Sequence, residues 1–160
     1  ILNLVYLCKH YGLNEVAEYW HQVVKINDYQ MHRFAQKIID SFNGNLNDKV
    51  IIILGWAFKP NTNDSRESPS IYVAKKLYQS GAYLKIYDPL VPGRKIFDDI
   101  SSYWKLKLEQ KDLEKRIKIL PNISNCLNKS HAIAVLTNWE EFKNINWKSI
   151  SKSTLIFNGI

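Results

Sequence analysis

Apolar and polar positions follow a helical pattern over the first part of the chain. Residues 1–10 are strongly apolar, and they are followed by Gly12, the residue type that helices favour at a carboxyl end. From Asn14, whose side chain can cap a helix, apolar residues recur at three- and four-residue steps to about Phe42. This predicts one helix of roughly 42 Å, which suits a connector between two domains or a contact with a second copy. A plain core helix is the alternative.

After residue 43 the pattern changes to short apolar runs that alternate with amphipathic segments. Residues 50–54 are all apolar and mostly β-branched, which suits a strand buried on both faces of a parallel sheet. Ser68 and Pro69 favour a helix start, because a hydroxyl can cap free N–H groups and proline presets φ. We also predict strands at 83–87, 117–120, 132–136 and 154–157, helices at 68–79 and 123–128, one or two surface helices over 94–116, and a loop-helix segment at 142–150.

This order of elements predicts a doubly wound, Rossmann-like α/β fold with a mostly parallel sheet, preceded by a long helical segment. We divide the chain into a helical linker and dimerisation region at residues 1–43 and an α/β domain at residues 44–160. No Gly-x-Gly-x-x-Gly occurs in the sequence. The α/β domain is therefore not expected to be the principal binding site of a dinucleotide.

A long polar loop joins the first predicted strand to its helix. Gly55 follows the carboxyl end of the strand, where open α/β sheets usually hold their ligand. The loop carries Lys59, Asp64 and Arg66, and it is longer than the roughly 2–6 residues usual for such connections. Two cations beside a helix N-terminus favour an anion. Arg66 can instead pair with Asp64 and only tie the loop together, and both roles are compatible.

The amino-acid sequence of this loop resembles the signature of a known protein family. Residues 55–59, Gly-Trp-Ala-Phe-Lys, followed by Asp-Ser-Arg-Glu-Ser-Pro at 64–69, are similar to the C-terminal, nucleotide-sugar-binding domain of the UDP-glucose/GDP-mannose dehydrogenase family. Residues 27–34 and 87–89 are similar to the same family in the same order. The amino-acid sequence at the amino end resembles, more narrowly, the animal-type members that oxidise UDP-glucose to UDP-glucuronate.

The resemblance implies roles for particular residues. Phe58 and Lys59 would line the UDP-sugar site, and Arg66 would reach the NAD cofactor, which another domain would mainly bind. The helix over residues 14–42 would form a homodimer or a higher homo-oligomer. For Asp64 we favour organisation of the loop, and for Asp88 we favour a turn aspartate over a ligand to a ribose hydroxyl.

The resemblance also implies a reaction that this chain does not complete alone. Family members oxidise a sugar C6 alcohol to a carboxylate in two hydride transfers to NAD, through a cysteine thiohemiacetal and thioester. In the family, the catalytic cysteine lies in a Gly-Gly-x-Cys segment that is followed by Lys-Asp. This segment is not in this chain, so we expect a fragment that is inactive alone and holds no catalytic residue. Near the carboxyl end, Asn158 and Ile160 stand where the family has an acid and a substrate-contacting arginine.

Two alternatives stay open at this point. One is a dehydrogenase of the same family that acts on UDP-N-acetylmannosamine or GDP-mannose. The other is a non-catalytic α/β module for nucleotide binding or dimerisation. The sequence encoded upstream of residue 1 distinguishes an enzyme from a non-catalytic module, because an enzyme of this family requires the Gly-Gly-x-Cys segment there.

The composition of the chain limits the classes of partner that we expect it to bind. The 160 residues carry a net charge of +7, but their charges are interleaved along the chain, which argues against a nucleic-acid surface. No apolar run is long enough to span a membrane. Cys8 and Cys126 lack metal-site spacing, so we predict no metal and two reduced thiols in a cytoplasmic protein.

Overall fold

The chain folds into an α/β domain that two helices precede. The computed structural model describes residues 1–106, 110–123 and 127–160. The elements are α1 Leu2–His10, α2 Asn14–Asp40, β1 Val50–Leu54, α3 Pro69–Gln79, β2 Tyr83–Tyr87, α4 Gly93–Trp104, α5 Gln110–Leu113, β3 Ile117–Ile119, β4 Ala132–Val135, α6 Glu140–Lys143 and β5 Leu155–Asn158, with 3₁₀ turns at Leu127–Lys129 and Trp147–Ser149.

Within the described ranges, the strands form one parallel sheet in the order β3-β2-β1-β4-β5. β1 lies at the centre, where Ile52 pairs with Lys85 on one side and with Ile133 on the other. The chain runs outward through β2 and β3 and then returns to the other side of β1. The direction of winding therefore changes between β1 and β4, and ligands of such sheets bind at the carboxyl ends of the strands beside that change. The predicted fold class is confirmed.

The long helix α2 belongs to two separate packing regions. Its second half contributes Ala35, Ile38 and Ile39 to the main core, which lies around the sheet. Its first half packs on α1 around a small cluster of Val5, Cys8 and Ala17. These contacts place the end of α2 firmly on the α/β domain and leave most apolar residues of α1 exposed.

The predicted start of α2 is wrong in one detail. Leu13 occupies the N-cap position, no side chain there accepts a capping hydrogen bond, and Asn14 is the first helical residue. Leu13 N–H bonds back to the Cys8 carbonyl, which continues the tight turn through Gly12. The backbone turn fixes the helix start, so an amide cap is not used. The cap predicted at Ser68 is confirmed, because Ser68 Oγ accepts from Ser70 N–H and Pro69 begins α3.

The two helices predicted over residues 94–116 are confirmed as α4 and α5, but the buried stripe of α4 was not predicted. Ile96, Ile100 and Trp104 are buried in the main core, and the Trp104 indole donates to the Ile71 carbonyl of α3 at 2.9 Å. These residues recur at four-residue steps and so form one stripe on the helix. The charged residues on the opposite face lower the mean hydropathy of the segment and hide this stripe from inspection.

Some predictions fall at the edge of the described residues. The helix predicted over 123–128 includes residues 124–126, which lie outside them, as does Cys126. Cys8 is buried. Among the described residues, the helices include none with the length and apolarity needed to cross a membrane, and no group of three or more potential metal ligands comes together.

Candidate functional site

The candidate site is built on the loop of residues 55–68, which leaves β1 at the centre of the sheet. Gly55 N–H donates to the Tyr87 carbonyl at 2.8 Å, so the loop starts in contact with β2. Gly55 has a φ of +95°, and a Cβ there would lie 2.5 Å from Cβ of Thr137, which follows β4. Only glycine allows this backbone conformation and this close approach.

The two neighbouring strands hold the next residues of the loop. Thr137 Oγ1 donates to the Ala57 carbonyl at 2.7 Å. From the side of β2, Asp88 Oδ2 accepts from the backbone N–H groups of Trp56 and Ala57 at 2.6 and 2.9 Å. The beginning of the loop is therefore fixed across the carboxyl ends of three strands, which is where the sequence placed a ligand crevice.

Asp88 is an organiser of this edge of the sheet. Its Oδ2 also accepts from the Trp139 indole at 3.1 Å, and its Oδ1 accepts from the N–H groups of Leu90 and Val91, both at 2.9 Å. The carboxylate is buried and accepts five hydrogen bonds, so it has no free position for a ribose hydroxyl. The favoured role as a turn aspartate is confirmed. The bonds to the loop and to the indole were not predicted, because they join residues far apart in sequence.

A second buried carboxylate, Asp99 of α4, holds the loop from its other side. Asp99 Oδ2 accepts from the Trp56 indole at 3.0 Å and from the Ser65 hydroxyl at 2.5 Å, while Lys95 pairs with Oδ1. This hydrogen bond raises the pKa of the Lys95 ammonium group. Sequence reasoning missed Asp99. The available signal was a carboxylate between Ile96 and Ile100 on the apolar stripe of a helix.

Phe58 and Lys59 lie on the outer part of the loop, next to each other. Phe58 is 58% exposed although the last four residues of the preceding strand β1 are buried, and Phe58 N–H donates to the Asp64 carbonyl at 2.8 Å. The Lys59 side chain is exposed, and within the described residues it makes no side-chain hydrogen bond or ion pair. Both groups are free to meet a ligand.

Arg66 pairs with Asp64 on the same loop. Asp64 accepts from Arg66 Nε at 2.9 Å and from Nη2 at 2.8 Å, and it also accepts from the Arg66 backbone N–H. The hydrogen bonds from the guanidinium are the main reason that the pKa of the Asp64 carboxyl falls to about 2. Asp64 is thus a loop organiser, as favoured. The Arg66 side chain is 78% exposed and keeps three of its N–H donors free of Asp64.

Arg66 lines a cavity of about 530 Å³, together with Asn63, Asp64, Pro92 and Lys95. Two cations from different elements, the loop and α4, therefore face one space. Phe58 and Lys59 do not line this cavity, so the structure places the two predicted binding groups at different positions on the loop. A larger groove of about 910 Å³, which was not predicted, lies along the second half of α2 and includes Lys76 of α3.

Comparison with known proteins agrees with this architecture. Residues 52–159 match the UDP binding domain of the UDP-glucose/GDP-mannose dehydrogenase family. The chain is 44% identical to UDP-glucose 6-dehydrogenase of Bos taurus and 41% identical to that of Drosophila melanogaster, over 99% of its own length in each case. It spans about a third of the length of these relatives, 33% and 34% respectively.

Solved structures show the same fold. A UDP-glucose dehydrogenase from Pyrobaculum islandicum superposes with a TM-score of 0.70 at 21% identity, over 98% of this chain and 31% of that one. A UDP-D-ManNAc dehydrogenase from Pyrococcus horikoshii superposes with a TM-score of 0.58 at 26% identity, over 92% of this chain and 29% of that one. With the family match over residues 52–159, the chain belongs to the UDP-glucose/GDP-mannose dehydrogenase family.

Proposed function

We propose that the chain is the C-terminal portion of an NAD-dependent UDP-glucose 6-dehydrogenase and supplies part of its UDP-sugar site. The observation that carries this proposal is the loop of residues 55–68, which exposes Phe58 and Lys59 beyond the carboxyl end of β1, with Lys59 in no ion pair among the described residues. The identity of 44% to relatives of that name supports UDP-glucose over the other nucleotide sugars of the family. The full-length protein would oxidise UDP-glucose to UDP-glucuronate.

Phe58 and Lys59 take complementary parts of the substrate. An exposed ring can pack on a flat, uncharged part of the ligand, and an ammonium group without an internal partner can bind a diphosphate or a sugar oxygen at no cost in existing ion pairs. The close tether of Phe58 N–H to the Asp64 carbonyl limits the movement of both residues. The loop is thus preorganised, which reduces the entropy lost on binding.

Arg66 is proposed to contact the NAD cofactor, which accepts the hydrides of the oxidation when it is bound. The residues present fit such a group, because Arg66 keeps three side-chain N–H donors that Asp64 does not use and shares its cavity with Lys95. Two cations on one cavity favour a diphosphate. Asp64 holds the guanidinium plane in a fixed orientation through two hydrogen bonds. The principal cofactor contacts would come from a domain outside this chain.

The helices α1 and α2 are proposed to carry the contact with a second copy. Leu2, Tyr6, Tyr19, Ile26 and Tyr29 each expose more than half of their surface. Apolar residues at such density on one helical unit favour an interface. Sedimentation equilibrium measures this directly, and a purely monomeric chain at micromolar concentration would contradict the dimer. A cytoplasmic location is also part of the proposal, since the buried free thiol of Cys8 fits a reducing compartment.

The test of the substrate site uses the full-length protein and the absorbance of NADH. Lys59→Ala should lower kcat/KM for UDP-glucose by about tenfold or more, because a charge-assisted hydrogen bond is worth about 1.5–3 kcal/mol. The matched control is Lys152→Ala, which removes an exposed lysine just before β5, at the opposite edge of the sheet.

Equal kinetics for both variants and the wild type would contradict the proposed role of Lys59. Parallel assays with UDP-N-acetylmannosamine and GDP-mannose distinguish the specificities within the family. If the enzyme turned over either of these nucleotide sugars faster than UDP-glucose, that sugar would be its substrate in place of UDP-glucose.

A further inference from the structure

Helix α4 is the element that fixes the conformation of the loop at residues 55–68. Asp99 of α4 is 2% exposed, and a single oxygen of its carboxylate accepts hydrogen bonds from both Trp56 and Ser65. Trp56 and Ser65 are themselves fully buried. Hydrogen bonds to a buried carboxylate are stronger and more directional than those between neutral groups. These two bonds therefore define where each end of the loop lies.

The loop needs such external ties because its backbone is not in a relaxed conformation. Glu67 has a φ value of +54°, in the left-handed region, which costs such a residue roughly 1–2 kcal/mol. Glu67 N–H donates to the hydroxyl of Tyr103, also on α4, at 3.4 Å. The Glu67 carboxylate in turn accepts from Tyr72 of α3. Contacts from the two helices thus hold a segment that would otherwise relax to other conformations.

The two residues bound to Asp99 each lie beside a proposed ligand-binding group. Trp56 precedes Phe58 with only Ala57 between them, and Ser65 directly precedes Arg66. A shift of Trp56 would therefore act mainly on Phe58 and Lys59, whereas a shift of Ser65 would act mainly on Arg66 and would reach Phe58 only through the Asp64 carbonyl. One carboxylate on α4 reaches the substrate side and the cofactor side of the loop through separate hydrogen bonds.

We infer that Asp99 is a positioning residue for both ligands, setting the UDP-sugar contacts through Trp56 and the cofactor contact through Ser65. This inference rests on the proposed function, since it takes Phe58 and Lys59 as substrate contacts and Arg66 as a cofactor contact. Asp99 itself touches neither ligand, because it is buried beneath the loop.

The test measures separate KM values for UDP-glucose and NAD in the full-length protein. Asp99→Ala removes both anchors and should raise both KM values by about tenfold or more. Trp56→Phe removes the indole N–H and should mainly raise the KM for UDP-glucose. Ser65→Ala removes the hydroxyl and should mainly raise the KM for NAD.

A conservative variant and a surface variant serve as controls. Asp99→Asn should restore both KM values to within about threefold of wild type, since an amide oxygen can accept from both Trp56 and Ser65 while Lys95 turns to solvent. Asp98→Ala removes an exposed carboxylate from the neighbouring position of α4 and should leave both KM values unchanged. Rescue by asparagine keeps the test valid if the alanine variant folds poorly.

Three results would overturn the inference. They are unchanged KM values in Asp99→Ala, a loss confined to kcat and to the amount of folded protein, or identical KM changes for both ligands in the Trp56 and Ser65 variants. Lys59→Ala and Arg66→Ala are measured in parallel. If these two variants also leave both KM values unchanged, the proposed function fails. If they raise the KM values and Asp99→Ala does not, only the role of Asp99 fails.

Discussion

The buried carboxylate of Asp88 offers the sharpest test of how the site is held together. It accepts from the backbone N–H groups of Trp56, Ala57, Leu90 and Val91 and from the Trp139 indole, at 2.6–3.1 Å. Asp88→Ala leaves all five donors without this acceptor. Only Leu90 is exposed enough for its N–H to turn readily to water.

The expected loss of stability follows from the four donors that stay buried. At about 1 kcal/mol for each unsatisfied donor, the lower end of the usual range, Asp88→Ala should lower the free energy of unfolding by about 4 kcal/mol. Asp88→Asn should cost less, about 1–2 kcal/mol, because the amide oxygen can keep the three donors on Oδ2 while its NH₂ faces two N–H groups. A domain of this kind has a total of about 5–15 kcal/mol, so the alanine variant would lose a large share.

The assay is urea unfolding of this chain at 25 °C and neutral pH, followed by circular dichroism and analysed by linear extrapolation. Asp98→Ala is the control, since it also removes a carboxylate but from an exposed position, and surface changes usually stay within about 0.5 kcal/mol. The expected order of loss is Asp88→Ala, then Asp88→Asn, then Asp98→Ala. If Asp88→Ala and Asp98→Ala lose the same amount, the carboxylate does not organise the strand ends.

Two further predictions concern the same loop. Gly55→Ala should lower the free energy of unfolding by more than about 2 kcal/mol, because alanine there has a strained positive φ and clashes with Thr137. Gly12→Ala also places alanine at a positive φ but in open space, so it should cost about 1 kcal/mol. Urea unfolding compares the two variants. The Asp64 carboxyl should titrate near pH 2 by NMR and return toward 3.8 in Arg66→Ala. The pKa of Asp64 is lowered in the folded state, so its pair with Arg66 stabilises the loop above pH 3.8, and this stabilisation is lost as the pH falls toward 2. An unchanged titration midpoint of Asp64 in Arg66→Ala would refute the pairing.

The sequence was sufficient to predict the central part of the fold. The apolar run at β1 and the Ser68-Pro69 helix start are local signals, and each is confirmed by the structure. Asn14 misled the prediction of a helix start because a backbone turn at Gly12 replaces the cap. In α4 the charged residues of the exposed face made the buried stripe of apolar residues at four-residue steps hard to recognise.

The candidate site was predictable only in part, for a related reason. Lys59 and Arg66 carry chemistry that is visible in the loop itself, and their roles stay predictions. The bonds of Asp88 and Asp99 to the loop, and of Asp88 to the Trp139 indole, join residues that are 31 to 51 positions apart, and no local pattern records such pairs. Sequence thus indicates the residues that face a ligand more readily than the residues that hold them.

The two buried aspartates hold the loop by different means, and this has consequences for what each tolerates. Asp88 binds the backbone N–H groups of Trp56 and Ala57, which any residue except proline supplies. Asp99 binds the indole of Trp56 and the hydroxyl of Ser65, which depend on those side chains. A change of the Trp56 or Ser65 side chain to a non-donor therefore leaves the anchor at Asp88 in place and weakens the anchor at Asp99. Since Trp56 contacts both carboxylates, its backbone ties the loop to the sheet while its side chain ties the loop to α4.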